Sequence, residues 1–174
     1  VSYEVFAAKM SRQDRIAYFD TTTSGNPNLA GIQLAVEPVR GYGLSLNRAM
    51  QFGGGARGGA SLSRLRQAFL NSNSVGINLS DGSPGFQEFG NQIASVAATM
   101  QFPGRVPFAV NIEYAGEDNA YRGDYRLGDT ALSLGVDLPT LWRRFDLRYE
   151  ISEWQNVWYT HHIYPQGMTN RGYA

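Results

Sequence analysis

Arg144-Phe145-Asp146-Leu147-Arg148-Tyr149-Glu150-Ile151-Ser152 decides the fold. Side chains on an extended chain alternate between two faces. Phe145, Leu147, Tyr149 and Ile151 therefore fall on one side, and Arg144, Asp146, Arg148 and Glu150 on the other. A strand of this kind divides an apolar medium from a strongly polar one. Either a protein core or lipid could supply the apolar side.

The alternation recurs through the chain. Phe108, Val110, Ile112 and Tyr114 oppose Ala109, Asn111, Glu113 and Glu117 within 107–117. Val96, Ala98, Met100 and Phe102 oppose Ser95, Thr99 and Gln101 within 91–102. Further strands are expected at 29–37, 42–52 and 128–138, and a weaker one at 1–10. In 42–52 the apolar face is interrupted by Arg48. One segment, 61–71, reads as a helix: Ser61 suits the N-cap, and Leu62, Leu65 and Phe69 form a short stripe.

The connections say more than the strands. Pro/Gly turns near 37–41, 103–106 and 139–143 alternate strictly with long polar stretches at 11–28, 53–90, 118–126 and 155–174. On an antiparallel meander this puts every tight turn at one rim and every long loop at the other. Outer-membrane barrels have that asymmetry. A soluble β-sandwich would alternate too, with its apolar face on a core. Aromatic residues near strand ends (Tyr42, Phe52, Phe102, Phe108, Tyr114, Phe145, Trp154) favour the barrel, where they would form interfacial girdles. The polar faces also carry many Arg, Asp, Glu, Asn and Gln residues, and the only lysine in the chain is Lys9. Arginine suits fixed bidentate networks inside a lumen.

Bulk properties narrow the classes. Fifteen basic residues balance 15 acidic ones, which gives nucleic acid no electrostatic invitation. There is no cysteine, hence no disulfide framework or thiolate metal site. No stretch approaches the ~20 apolar residues of a membrane helix, although a membrane strand needs only ~9–11 alternating ones. The expected fold is all-β: an up-and-down meander of about seven strands, with one short helix in an outward loop. Seven strands are fewer than a bacterial barrel needs, and open sheet edges are untenable in lipid. Residues 1–174 are therefore read as one partial barrel domain that continues at both ends.

Four groups invite chemistry. Gly53-Gly54-Gly55-Ala56-Arg57-Gly58-Gly59 resembles a phosphate loop but lacks the Gly-Lys-Ser/Thr, so a flexible strand-to-loop transition is expected. His161 and His162 would point to opposite faces of a strand, a poor metal pair. Glu113, Glu117 and Asp118 could be glycosidase carboxylates. Lumen ion pairing among Glu113, Glu117, Asp146, Arg144, Arg148 and Glu150 is the simpler expectation. Finally, Trp154, Trp158, Tyr159, Tyr164 and Tyr173 crowd the last outward loop with Asn156, His161, His162 and Arg171. Aromatic faces beside planar polar groups suit a glycan. The same aromatics could instead mark an interfacial belt, the reading favoured for Trp154.

Four stretches, in order, resemble the capsule assembly Wzi family of Gram-negative outer membranes. They are 48–57 (RAMQFGGGAR), 90–94 (GNQIA) running on to Phe102-Pro103, 113–118 (EYAGED) and 156–164 (NVWYTHHIY) with Gly167 and Thr169. The resemblance implies a large outer-membrane barrel, with this chain as its middle-to-late portion. It implies a lectin-like role holding capsular polysaccharide at the cell surface, with no catalysis; no cofactor or metal is expected. Outer-membrane lipid is the other expected partner, and a monomer the expected state. Arg57, Trp158, Tyr159, His161, His162 and Tyr164 are the candidate glycan contacts. Family members tend to carry Gly, Asp and Arg where this chain has Ser95, Ala97 and Thr99. Two rival readings are a porin-like transport barrel and a soluble glycan-binding or glycan-cleaving sandwich.

Overall fold

The computed structural model describes residues 1–70, 89–117, 127–141, 144–155 and 160–168. Asp118, Asn156, Trp158, Tyr159, Arg171 and Tyr173 lie outside them. In chain order the elements are β1 (Ser2–Lys9), β2 (Gln13–Tyr18), β3 (Thr21–Gly25), β4 (Asn28–Val39), β5 (Tyr42–Phe52), a 3-10 turn (Gly55–Arg57), α1 (Leu62–Leu70), β6 (Gly90–Phe102), β7 (Phe108–Glu117), β8 (Gly128–Leu141) and β9 (Phe145–Trp154). Seven strands pair antiparallel in the order β1-β4-β5-β6-β7-β8-β9, the expected meander. Tight turns join β4 to β5, β6 to β7 and β8 to β9 at one rim, and the longer connections lie at the other.

The register carries the alternation across the whole sheet. Tyr3, Leu34, Leu46, Val96, Tyr114 and Leu132 form one cross-strand row over six strands, which Glu153 breaks on β9. The next row toward the tight turns is Val36, Leu44, Ala98, Ile112, Leu134 and Ile151. Shifting any strand by one residue would put its apolar set on the polar side, so the rows fix the register. This apolar face is uncovered over most of its area: Ile112 is 37% exposed and Tyr149 60%. With large side chains of ~150–250 Å² each, the bare apolar surface is on the order of 1,000 Å², beyond the patches of soluble monomers. Among the described residues no second sheet lies over it; the other sheet is the small β2–β3 hairpin.

That hairpin occupies a stretch expected to be loop. Its turn, Phe19-Asp20, puts Phe19 at φ 50, where glycine would be the usual residue, so no turn signature announces it. Its one fully buried apolar side chain is Ile16.

The helix forms where expected. Ser61 caps it: the Leu65 N–H donates to the Ser61 carbonyl at 2.9 Å, and the Arg64 N–H donates to Ser61 Oγ at 3.4 Å. Nine residues are too few to hold a helix alone, so packing holds it. Leu65, Ala68 and Phe69 close over Ala30, Met50, Phe52 and Phe89 on the apolar side of the wall. Two expectations fail here. Leu62 lies off the packed stripe and is 81% exposed, and Phe52 is buried under the helix rather than in a girdle. Arg48, the charge that interrupts the apolar face, gains its reason. Its guanidinium donates to the Phe69 carbonyl at 2.9 Å in the last turn of α1 and to the Gln92 carboxamide. A cation at a helix C-terminus satisfies an orphan carbonyl and complements the dipole.

Candidate functional site

The polar face is laced by side chains that reach across strands. The Gln33 amide donates to Asn47 Oδ1 (2.8 Å), and the Asn47 amide donates to Ser95 Oγ (2.9 Å), linking β4, β5 and β6. Nearer the tight turns, Thr99 donates to Asn111 Oδ1 (2.9 Å) and the Asn111 amide to Asp137 (2.7 Å). Arg148 pairs with that same carboxylate at 3.3 Å. Ser133 and Ser152 are in hydrogen-bond contact at 2.7 Å.

At the long-loop rim three segments distant in sequence lock into one cap. The first is the β2–β3 hairpin, the second the glycine loop after β5, and the third residues 160–168 beyond β9. Ile16, Ile163 and Tyr164 form its apolar centre. The Ala17 N–H donates to the Ile163 carbonyl (2.9 Å), and the Gln13 amide to the Gly167 carbonyl (2.8 Å). Gln51, fully buried on the polar side of β5, donates to that same carbonyl at 3.2 Å. The segment leaving the last strand of the meander thus lands on the third strand in sheet order, on the polar side. At this rim the cap covers the polar face of β5, as α1 covers its apolar face.

Glycine is required in the middle segment. Gly53, Gly54 and Gly55 have φ of 69, 92 and 56, in the region L-residues with a Cβ avoid. A Cβ on Gly54 would also lie 2.9 Å from Ile16 Cδ1. Gly53 to Gly55 form a packed cradle for the cap where composition suggested a flexible transition, whereas Gly58 and Gly59 have open space around them.

The sequence-derived candidates separate clearly. Tyr164 is fully buried, and its hydroxyl donates to the Gly53 carbonyl at 2.9 Å. Burial pushes its phenol well above the usual tyrosine range, and the Arg57 guanidinium alongside offsets part of that rise. Arg57 is buried too and donates to the Ala17 carbonyl at 2.9 Å. These two side chains hold the cap together and do not line its surface. His161 is half-buried and His162 exposed. Residues 161–164 form a tight turn closed by the Tyr164 N–H on the His161 carbonyl (2.9 Å), so the imidazoles sit side by side with centroids 4.1 Å apart. The expected opposite-face arrangement belongs to a strand, which this segment is not. The Ile163 N–H donates to His161 Nδ1 at 3.3 Å, leaving the proton of the neutral ring on Nε2.

On the wall, Glu113 faces Ala97 and Ser133 across the pairing, Glu117 is buried opposite Ile93, and Glu150 is exposed opposite Gly135. Asp146 accepts the Thr140 N–H at 2.8 Å, holding the β8–β9 turn where Thr140 adopts φ 60. The Arg144 backbone closes that same turn on the Leu141 carbonyl at 3.2 Å. Arg148 finds Asp137, a β8 residue outside the expected ion-pair set. Among the described residues no group of three or more His, Asp or Glu side chains could hold a metal ion. Trp154 pairs with Ala131, and strand alternation carries it to the polar face, against the belt reading. Sequence reasoning also missed Gln13 and Asn91. Asn91 sits fully buried opposite Gln51 beneath the cap. Long-range contact defines both, and neither has a local signal.

A family model described as capsule assembly protein Wzi matches residues 1–174, the whole chain. Comparison with curated proteins and with solved structures finds no match.

Proposed function

This chain belongs to the capsule assembly protein Wzi family, and on that premise we propose that it is part of the wall of a larger outer-membrane barrel. Its long-loop rim faces outward and binds capsular polysaccharide without catalysis. The bare apolar face supports a lipid neighbour, because a sheet in lipid needs exactly this outward chemistry with every ladder bond satisfied inside the wall. The observation that carries the binding role is the cap. It is a preorganised platform with the His161 and His162 imidazoles at its edge, and Trp158 and Tyr159 adjoin them in sequence. Preorganised donors and aromatic faces bind a sugar chain at lower entropic cost than free loops do. In this reading Trp158, Tyr159, His161 and His162 contact glycan, and Arg57 and Tyr164 act as struts.

The test is capsule retention by cells carrying the full-length protein, wild type against Trp158→Ala/Tyr159→Ala and His161→Ala/His162→Ala. Loss of surface capsule, with the variant still inserted as a folded barrel, is expected. Unchanged retention removes this loop from the site. The competing reading is a transport conduit. A cap resting on Gln51 inside the mouth argues for low conductance in planar bilayers, and a large steady conductance would favour the conduit.

A further inference from the structure

The cap accounts for the inner side of the long-loop rim; α1 sits on the outer side of the same rim. Its C-terminal end is drawn down to Arg48, which holds the Phe69 carbonyl. The next row toward the tight turns is the exposed Leu34–Leu46–Val96 row. The helix end therefore meets the upper edge of the bare apolar band. Leu62, Arg66 and Leu70 follow one another at i, i+4 and i+8, so they share one side of the helix. Leu70 is 78% exposed, Leu62 is as bare, and Arg66 between them is exposed. The helix carries Arg64 and Arg66 and no acidic residue. Two leucines flanking a cation, beside the packed stripe of Leu65, Ala68 and Phe69 and next to the exposed Ser63 and Gln67, form a wedge without a protein partner among the described residues.

We propose that α1 is an interfacial anchor: Leu62 and Leu70 enter the acyl boundary of the outer leaflet, and Arg66 binds the phosphate of a lipid headgroup. Amphipathic helices lie in this plane, with apolar side chains in the acyl region and arginines at phosphate level. The inference rests on the barrel reading above, since it needs the apolar face to meet lipid.

The test places nitroxide labels on single cysteines in the full-length protein: Leu70→Cys and Leu62→Cys on the wedge, Gln67→Cys on the solvent side of α1, and Ile112→Cys on the wall. Collision with oxygen, which concentrates in lipid, is compared with collision with a water-soluble nickel chelate. The vesicles are phosphatidylcholine with or without lipid A. The expected result is a lipid-like ratio at 70 and 62, approaching that at 112, and an aqueous ratio at 67. Lipid A should raise the ratio at 70 several-fold, and Arg66→Gln should abolish that rise. An aqueous ratio at 70 and 62 with a lipid-like one at 112 overturns the anchor and leaves the barrel reading standing. Aqueous ratios at all four positions overturn both. Shielding of 70 from both reagents identifies a protein neighbour, such as a second copy, and overturns the lipid assignment. An unchanged ratio at 70 in Arg66→Gln, with and without lipid A, overturns the phosphate contact.

Discussion

Tyr164→Phe tests whether the cap is a unit held from within. The substitution keeps the ring, so it opens almost no cavity. It removes the hydroxyl that donates to the Gly53 carbonyl and lies against Arg57. A buried acceptor left without its donor costs roughly 1–3 kcal/mol. The loss should appear in the cap and not in the wall, because the contacts broken join only loop segments. Converted to an opening equilibrium, that is roughly a 5–150-fold rise in the open population. Amide hydrogen exchange reads it directly. The Ala17 N–H, bonded to the Ile163 carbonyl, reports the junction between hairpin and last loop. Amides in the β5–β6 ladder report the wall. Faster exchange at Ala17 with unchanged ladder amides is the expected pattern. Unchanged exchange at Ala17 would show that Tyr164 is no strut, and equal acceleration in the ladder would show that cap and wall are one cooperative unit.

Three further outcomes are expected. Ile112→Arg should cost roughly 2–4 kcal/mol of barrel stability in lipid, whereas Glu113→Arg, one residue along on the polar face, should cost far less; equal costs in equilibrium unfolding would reject the assignment of faces. Arg48→Met should free the C-terminal turn of α1 at a cost of about 1–2 kcal/mol, speeding helix amide exchange roughly 5–30-fold with the wall intact. The pH dependence follows from the raised pKa of Tyr164. The phenol stays neutral in the closed cap, whereas an open one ionises near ~10, so cap stability is full below that pH and falls as pH rises above it. Protease sensitivity of the cap should then climb in step with tyrosinate absorbance in wild type, and Tyr164→Phe should lose that coupling.

The wall was legible because a strand with unlike faces writes its environment into every second residue. Residues 42–52 show this: their alternation matches β5 to its ends, and the one misfit, Arg48, turned out to have a job on the helix. The cap was not legible. Gln51 and Gly167 lie 116 positions apart, and no spacing rule joins them. Residues 13–25 hide their hairpin for a related reason: Ile16 is buried by the other loops, not by a sheet face, so no alternation develops. The glycan candidates show how residue type misleads. An aromatic and an arginine in an outward loop fit a binding surface and a loop core equally well, and only burial tells Tyr164 and Arg57 from His162.

The scarcity of lysine follows from how the arginines are used. Arg48 serves a helix carbonyl and a carboxamide, Arg57 a strand carbonyl beside a phenol, and Arg148 a carboxylate in a cross-strand ladder. Arg48 and Arg57 each use a planar fork of donors to hold two groups at once, which a single ammonium cannot do in the same geometry. Arg57→Lys separates charge from fork. It keeps the positive charge near Tyr164, but the shorter, tetrahedral donor cannot hold the Ala17 carbonyl and the phenol together. If the fork matters, Arg57→Lys should speed exchange at Ala17 nearly as much as Arg57→Ala does. Protection at the wild-type level would mean that charge alone holds the cap, and the arginine preference would then need another cause.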